Sequence, residues 1–342
     1  MLIFADPCGK FYATTAQALS YGYLSITAAT VKTSGLPAGA VESTCWDMSP
    51  ANSAMQITTP VTAGPIFFGG RFYFTSMPSN FILMQYQNAA TQGQINIVIN
   101  SNGTISIKNT GSGATIGTSS LSTVLTAPGW NYIEMSALIS ATVGTAGVQI
   151  NGTNLLSVTG ANTYNTGAVN IGDLIINGYI AGNPIYLQDL YIADSTGTYN
   201  NGFLGDISLS VANASRPGSF AQFANNGAAT NWQCMADVTP DDLTTYVSDS
   251  TPGDRTSVGY GSVAAGTPLA VIHVSRVSKS DAGSRTFAQT IRSQAADVIG
   301  TTTAPSTSFA YYKQIVETDP NTGVPWTSGA INALEGGIKT IA

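Results

Sequence analysis

Residues 94–108 read QINIVINSNGTISIK. Ile95, Ile97 and Ile99 alternate with their neighbours, and after Asn100-Ser101-Asn102-Gly103 the alternation resumes at Ile105 and Ile107. A period of two puts successive side chains on opposite faces of a strand. Asn-Gly between two such runs is a strong hairpin signal, because both residues tolerate positive φ. The stretch therefore predicts two antiparallel strands, 94–99 and 104–108. Residues 148–150 and 155–158 repeat the signature across Asn151-Gly152.

Outward from these hairpins the texture stays the same. Residues 67–74 (FFGGRFYF), 81–86, 130–136 (WNYIEMS), 170–176 and 185–192 all carry strand signals, with Gly- and Asn-rich turns between them. No helical period intervenes. Many short strands with such turns predict an all-β jelly-roll sandwich. The Gly/Ser/Thr stretch 109–123 reads as an exposed loop or flexible edge, not a linker between domains.

At 342 residues the chain exceeds the size at which single cores stop growing, about 250–300 residues, so two domains are expected. Residues 1–200 hold 11 charged side chains and residues 201–342 hold 19. That contrast places the boundary near 200, giving domains 1–200 and 201–342. In the second, 213–262 reads as loop-rich. Strands are expected at 269–277 and 285–291, turning at 280–284, and at 309–317. Ile331, Leu334 and Ile338 recur at helical spacing, so 330–338 predicts a short C-terminal helix capped by Thr327 or Ser328. The second domain is thus a smaller β-sandwich-like body with a terminal helix.

Only 9% of residues are charged, against about 25% in ordinary soluble domains. The net charge is −6, with no basic stripe, which argues against nucleic-acid binding. No signal-peptide pattern opens the chain, so synthesis in the cytoplasm is expected. No apolar window reaches the roughly 20 residues of a membrane span, and no membrane insertion is expected. The three cysteines, Cys8, Cys45 and Cys234, form no CxxC pair and read as buried thiols rather than metal ligands.

The run DLYIADSTGTYNNGFLGDISL (189–209) resembles a segment of tailed-bacteriophage virion structural proteins. There, a strand carrying an Asp and a nearby Tyr ends an N-terminal concanavalin A-like, laminin-G-like sandwich, and a Gly/Asn turn leads into Phe-Leu-Gly-Asp. The matching positions are Asp189, Tyr191, Asp194, Gly197, Asn201, Phe203, Leu204, Gly205 and Asp206. Residues 241–246 with Gly253-Asp254, the ending 317–339 and the opening MLIFAD are also similar to that family. After the opening, Pro7-Cys8-Gly9 replaces the family's aromatic and acidic residues. The resemblance implies a virion location and a structural role as a capsid decoration, neck or tail-associated protein. Its partners would be other virion proteins and copies of itself. Sparse charge and a C-terminal helix too short to stand alone predict a homo-oligomer, a trimer by analogy with phage appendages, or a monomer that orders fully only on the particle. The resemblance implies no catalytic residue and no cofactor.

The alternative is a carbohydrate-binding, receptor-recognition module of a fibre or adhesin, with host surface glycan as partner. Trp46 and Trp232 are expected to be exposed and are its candidate sugar contacts; Trp130 reads as core. Trp326, Ile331, Leu334 and Ile338 are candidate assembly contacts, their own domain being the competing partner. Enzyme activity is not expected. Only four glutamates exist, none forms the glycosidase strand motif, and Glu134 reads as a solvated strand carboxylate. His273, the one imidazole, reads as a strand residue. Asp237, Asp241, Asp242, Asp249 and Asp254 could serve a calcium ion but fit turn chemistry better, so no metal is expected.

Overall fold

The structure, a computed structural model, describes all residues except 60–63, 121–124, 179–182 and 264–265. The chain forms two compact units: Met1–Gly9 with Thr14–Leu209, and Lys10–Ala13 with Ser210–Ala342.

The first unit runs β1 (Leu2–Asp6), α1 (Thr15–Tyr21), β2 (Tyr23–Thr27), β3 (Thr30–Lys32), β4 (Cys45–Asp47), β5 (Ala54–Thr58), β6 (Ile66–Phe74), β7 (Phe81–Gln87), β8 (Gly93–Ile99), β9 (Ile105–Asn109), β10 (Thr115–Thr118), β11 (Gly129–Leu138), β12 (Gly144–Ile150), β13 (Thr153–Ala161), β14 (Asp173–Asn177) and β15 (Ile185–Asp194). These make two antiparallel sheets. One is ordered β13-β12-β11-β6-β15-β4-β3, with β1 also on β15; the other is β10-β9-β8-β7-β14-β5-β2. This is the expected all-β jelly-roll sandwich. Both hairpins form, with Ile97 opposite Ile107 and Val148 opposite Leu156. Asn151 and Gly152 both take positive φ, as a tight hairpin turn requires.

Alternation decides what is buried. On β6, Phe68, Phe72 and Phe74 point inward and are fully buried, while Phe67, Arg71 and Tyr73 lie on the outer face. Met84, Tyr86, Ile95 and Ile97 fill the core from the other sheet, and Tyr86 Oη donates to the Met135 carbonyl at 3.2 Å between the layers. Of the two readings for 109–123 the edge holds: β10 lies within it, pairs with β9 and ends its sheet. Gly117 of β10 lies so near Val158 and Leu156 of β13 that the two sheets meet along this edge. Residues 121–123 of that stretch fall outside the described residues.

The second unit runs β16 (Ala214–Ala221), β17 (Ala224–Asn226), α2 (Asn231–Cys234), β18 (Tyr246–Ser248), β19 (Arg255–Tyr260), β20 (Val271–Val277), β21 (Phe287–Ser293), β22 (Ala296–Ile299), β23 (Ala310–Val316), α3 (Ser328–Ala333) and β24 (Glu335–Thr340). A five-stranded sheet is ordered β16-β19-β24-β21-β22, with two ribbons, β17-β18 and β20-β23. Residues 213–262 are loop-rich as expected, with four short strands and a helical turn set among the loops. Two expectations need correction. β20 pairs with β23, not with the strand that follows it, so 280–284 connects different sheets instead of turning a hairpin.

The C-terminal helix stops at Ala333. Thr327 caps it, accepting from the Ala330 amide, but Leu334 is extended and Ile338 lies in β24. Gly336 and Gly337 disfavour a helix. They suit a central strand: a Cβ on Gly337 would come within 2.1 Å of the Thr256 carbonyl. The slot between β19 and β21 thus overrides the local helical spacing. Trp326 and Leu334 pack with Ile291 and Val316, and Trp326 Nε1 donates to the Val316 carbonyl at 2.8 Å. Trp326→Ala is expected to cost the second unit about 3–5 kcal/mol, read as a lower denaturant midpoint for this unit with the first unit's transition unchanged.

Candidate functional site

A cluster of ionisable groups occupies the outer face of β6, β11 and β15. Register puts Gly69 opposite both Glu134 and Tyr191, and Arg71 opposite Tyr132. Gly69 is required by this arrangement, since a Cβ there would come within 2.0 Å of the Tyr191 ring. A bulge on β15 between Gln188 and Tyr191 carries Asp189, in the left-handed region at φ 52°. Such a bulge re-aims a side chain that regular pleating would direct elsewhere.

Glu134 is fully buried. Its Oε1 accepts from Tyr191 Oη at 2.5 Å and from the amides of Leu204 and Gly205 at 2.8 and 2.9 Å. Arg71 Nε reaches Asp189 at 3.2 Å, and its Nη2 donates to Asp206 at 2.5 Å and to the Ile207 carbonyl at 3.0 Å. The guanidinium carbon lies 5.3 Å from the Tyr132 ring centroid. Asp189 also accepts from the Leu209 amide at 3.0 Å. Phe203 meets Phe67 edge-on at 5.4 Å. Together these contacts strap residues 203–209 to the sheet, which is why this stretch belongs to the first unit.

Burial pushes the Asp189 carboxyl up to about 6; Glu42 adds to the rise, while Arg71 and the Leu209 amide oppose it. Burial beside Glu134 raises Tyr191 as well. Two carboxylates near an arginine resemble hydrolytic equipment, but both are fully buried and bound to the chain's own strap. The expectation that Glu134 is solvated is overturned: the strap covers it. The motif at 189–206 contained the strap side of this cluster. Arg71 and Glu134 were missed because they lie 118 and 57 residues from their partners and carry no local signal.

The other candidates are dispersed. Trp46 is 1% exposed, so it offers no surface to a glycan; it packs edge-on against Tyr23, whose hydroxyl accepts from its Nε1 at 3.0 Å. Trp232 is half-buried on α2, in the other unit. Trp130, read as core, is half-buried on the outer face of β11. Trp326 and Leu334 are committed to their own unit's core, with Ile331 packed against it and Ile338 held in β24. His273 faces Tyr260 and Ser275, and burial holds it down at about 4.

Thr245 Oγ1 bridges Asp237 and Asp241, and Asp242 pairs with Arg276 at 2.5 Å. Asp249 accepts from Thr340 Oγ1 and Asp254 from Gln222. Among the described residues no group of three or more His, Cys, Asp or Glu is placed to hold a metal. No described helix is long and apolar enough to cross a membrane.

No family model and no curated protein matches the chain. Solved structures do. A carbohydrate esterase from the Shiga toxin-encoding bacteriophage phi24B is 10% identical over 53% of this chain and 95% of its own, with a TM-score of 0.37. A protein of unknown function with a galectin-like fold from Bacillus subtilis is 9% identical over 56% of this chain and 94% of its own, with a TM-score of 0.34. A sialidase is 9% identical over 49% of this chain but only 17% of its own, with a TM-score of 0.33. Scores this low carry no function, and the fold assignment rests on the sheets themselves.

Two outcomes follow from the cluster. Glu134→Ala strands the Gly205 amide and the Tyr191 hydroxyl and leaves the Leu204 amide only Tyr191 Oη, at 3.1 Å; it is expected to cost about 3 kcal/mol. Hydrogen exchange should show lost protection at Leu204 and Gly205. Asp189 binds its proton more tightly folded than unfolded, so its contribution is complete below its ordinary 3.8 and is lost as pH rises through about 6. Urea unfolding of the first unit should show this loss, on the order of 3 kcal/mol at most, relative to Asp189→Asn.

Proposed function

We propose that this chain is a structural protein of a tailed-phage virion, a capsid decoration, neck or tail-associated component, without a catalytic centre. It acts through contacts with other virion proteins and with copies of itself. The observation that carries this reading is the strap. The ionisable cluster on the sandwich face binds backbone amides, a backbone carbonyl and Asp206 of the chain's own 203–209 segment, so these groups secure the chain rather than engage a substrate. The strap includes residues through which the sequence resembles virion proteins. Sparse charge also supports the reading, because little long-range repulsion opposes dense packing of copies.

A second reading, a carbohydrate-binding receptor-recognition module, is supported by aromatic side chains on the outer sheet face: Tyr73, Trp130 and Tyr186. Immunogold labelling and peptide mass spectrometry of purified particles that encode the chain test the first reading. Regular labelling at a fixed position and several copies per particle are expected. Particles that lack the protein would overturn it. Purified protein incubated with host-surface polysaccharide should release no reducing ends; release that is lost in Glu134→Gln would overturn the non-catalytic reading.

A further inference from the structure

Trp130 on β11, Tyr73 on β6 and Tyr186 on β15 lie directly opposite one another across three adjacent strands. Direct cross-strand partners share a face. It is the outer one, since the intervening Phe72, Phe74, Ile185 and Leu187 are fully buried inside. Ring centroids are 5.3 Å apart for Trp130–Tyr73 and 6.1 Å for Tyr73–Tyr186, with the rings tilted edge-to-face. All three are half-buried. The row continues through Asp47 on β4 to Thr30 on β3. Strands about 4.8 Å apart spread three rings over roughly 10 Å.

Beside the row stands a wall. Gln188, on the same face as Tyr186, donates to the carbonyls of Glu42 and Thr44 at 3.0 and 2.7 Å and accepts from the Val41 amide at 3.2 Å. This holds the 39–44 stretch against the sheet. Gly39, at φ 80°, lies beside Trp130, whose indole carbon would be 3.5 Å from a Cβ placed there.

The tyrosine and lysine tips along the row are unspent, while Asp47 Oδ1 already accepts the Ser49 amide at 2.9 Å. Trp130 Nε1 is buried with no acceptor among the described residues. No described residue bonds the hydroxyls of Tyr73 or Tyr186. Lys32 Nζ lies 5.9 Å from the Tyr186 ring centroid, with no ion pair among the described residues. Lys32 and Asp47 lie on neighbouring strands, and the wall adds Glu42, so the rim carries one positive and two negative charges. Aromatic rings with polar tips suit a ligand that is itself apolar on one side and hydroxylated at its edge. The cluster that holds the strap uses none of these groups.

We propose that the Tyr73–Trp130–Tyr186 row, walled by residues 39–44, is a binding site for a neutral oligosaccharide. The sugar's C–H faces pack on the rings, and its hydroxyls meet the tyrosine hydroxyls, Lys32 and Asp47. A rim with two carboxylates against one lysine repels an acidic glycan and favours an uncharged one. The site stands on this geometry and holds whether or not the protein is a virion component.

The chain has four tryptophans, so an isotope-labelled sample gives four indole N–H resonances, that of Trp130 being identified by its loss in Trp130→Phe. The full chain is titrated with maltotriose, cellotriose, triacetylchitotriose and galactotriose, with a galacturonic-acid trimer as the acidic probe. At least one neutral probe is expected to shift the Trp130 resonance and leave Trp46, Trp232 and Trp326 unmoved. Tyr186→Ala should weaken that binding about tenfold, the loss of one aromatic contact. The double variant Tyr73→Phe, Tyr186→Phe keeps the rings and the fold and should weaken it several-fold. No shift with any neutral probe at millimolar concentration overturns the proposal. So does binding of the acidic trimer alone, or binding undiminished in both variants. A shift produced only by an isolated virion protein would make the row a protein contact and overturn it as well.

Discussion

A single buried carboxylate oxygen organises one whole face of the sandwich. Glu134 Oε1 takes three donors, two of them the consecutive amides of Leu204 and Gly205, the first of which it shares with Tyr191 Oη. An unmet amide costs roughly 1–3 kcal/mol, more when the lost partner is charged. The cluster needs a glycine on β6, to admit the Tyr191 ring, and a bulge on β15, to aim Asp189 toward Arg71. The strap, the bulge and the glycine are therefore one device. Arg71 completes it by spanning Asp189 on the sheet and Asp206 on the strap. The clustering of ionisable residues that elsewhere suggests catalysis here follows from holding irregular backbone on a sheet surface.

The same economy marks the second unit. Side-chain hydrogen bonds tie its strands together, as when Gln289 donates to two carbonyls of the β20-β23 ribbon, His273 O and Tyr312 O, at 3.0 and 3.1 Å. Glu335 on β24 receives the Ser219 amide at 2.7 Å and the Ser257 hydroxyl at 2.7 Å, tying the edge strand β16 to the sheet centre. Arg255 and Arg292 share Asp297 and lie over Phe220. With so few charges in the chain, most of those in this unit are placed to fix strands that have little apolar surface to bury.

Functionally, the outer face of the first unit divides into two parts. Near Gly69 it is closed by the strap; near Tyr73 it carries a row of aromatic rings with free polar tips. The closed part supports a structural reading and the aromatic part a recognition site. The two are compatible, because separate residues on the same strands serve each.

What the sequence determined by itself was the local grammar. Alternation and Asn-Gly turns specified the hairpins 94–108 and 148–158, and the dominance of period-two runs specified an all-β sandwich, because those signals act between residues close in the chain. Thr327 was legible as a helix cap for the same reason. The tertiary structure decided everything that depends on which strands become neighbours. Leu334 and Ile338 fit a helical spacing, yet the slot between β19 and β21 made Ile338 part of a strand. β20 chose β23 over its neighbour in sequence. Trp46 entered the core and Trp130 the surface, a choice of sheet face that alternation leaves open until the partner layer is known. Glu134 became a buried anchor only when the 203–209 backbone was laid across it. Pairing and layering bring together residues tens to more than a hundred positions apart, and such encounters leave no periodic trace along the chain.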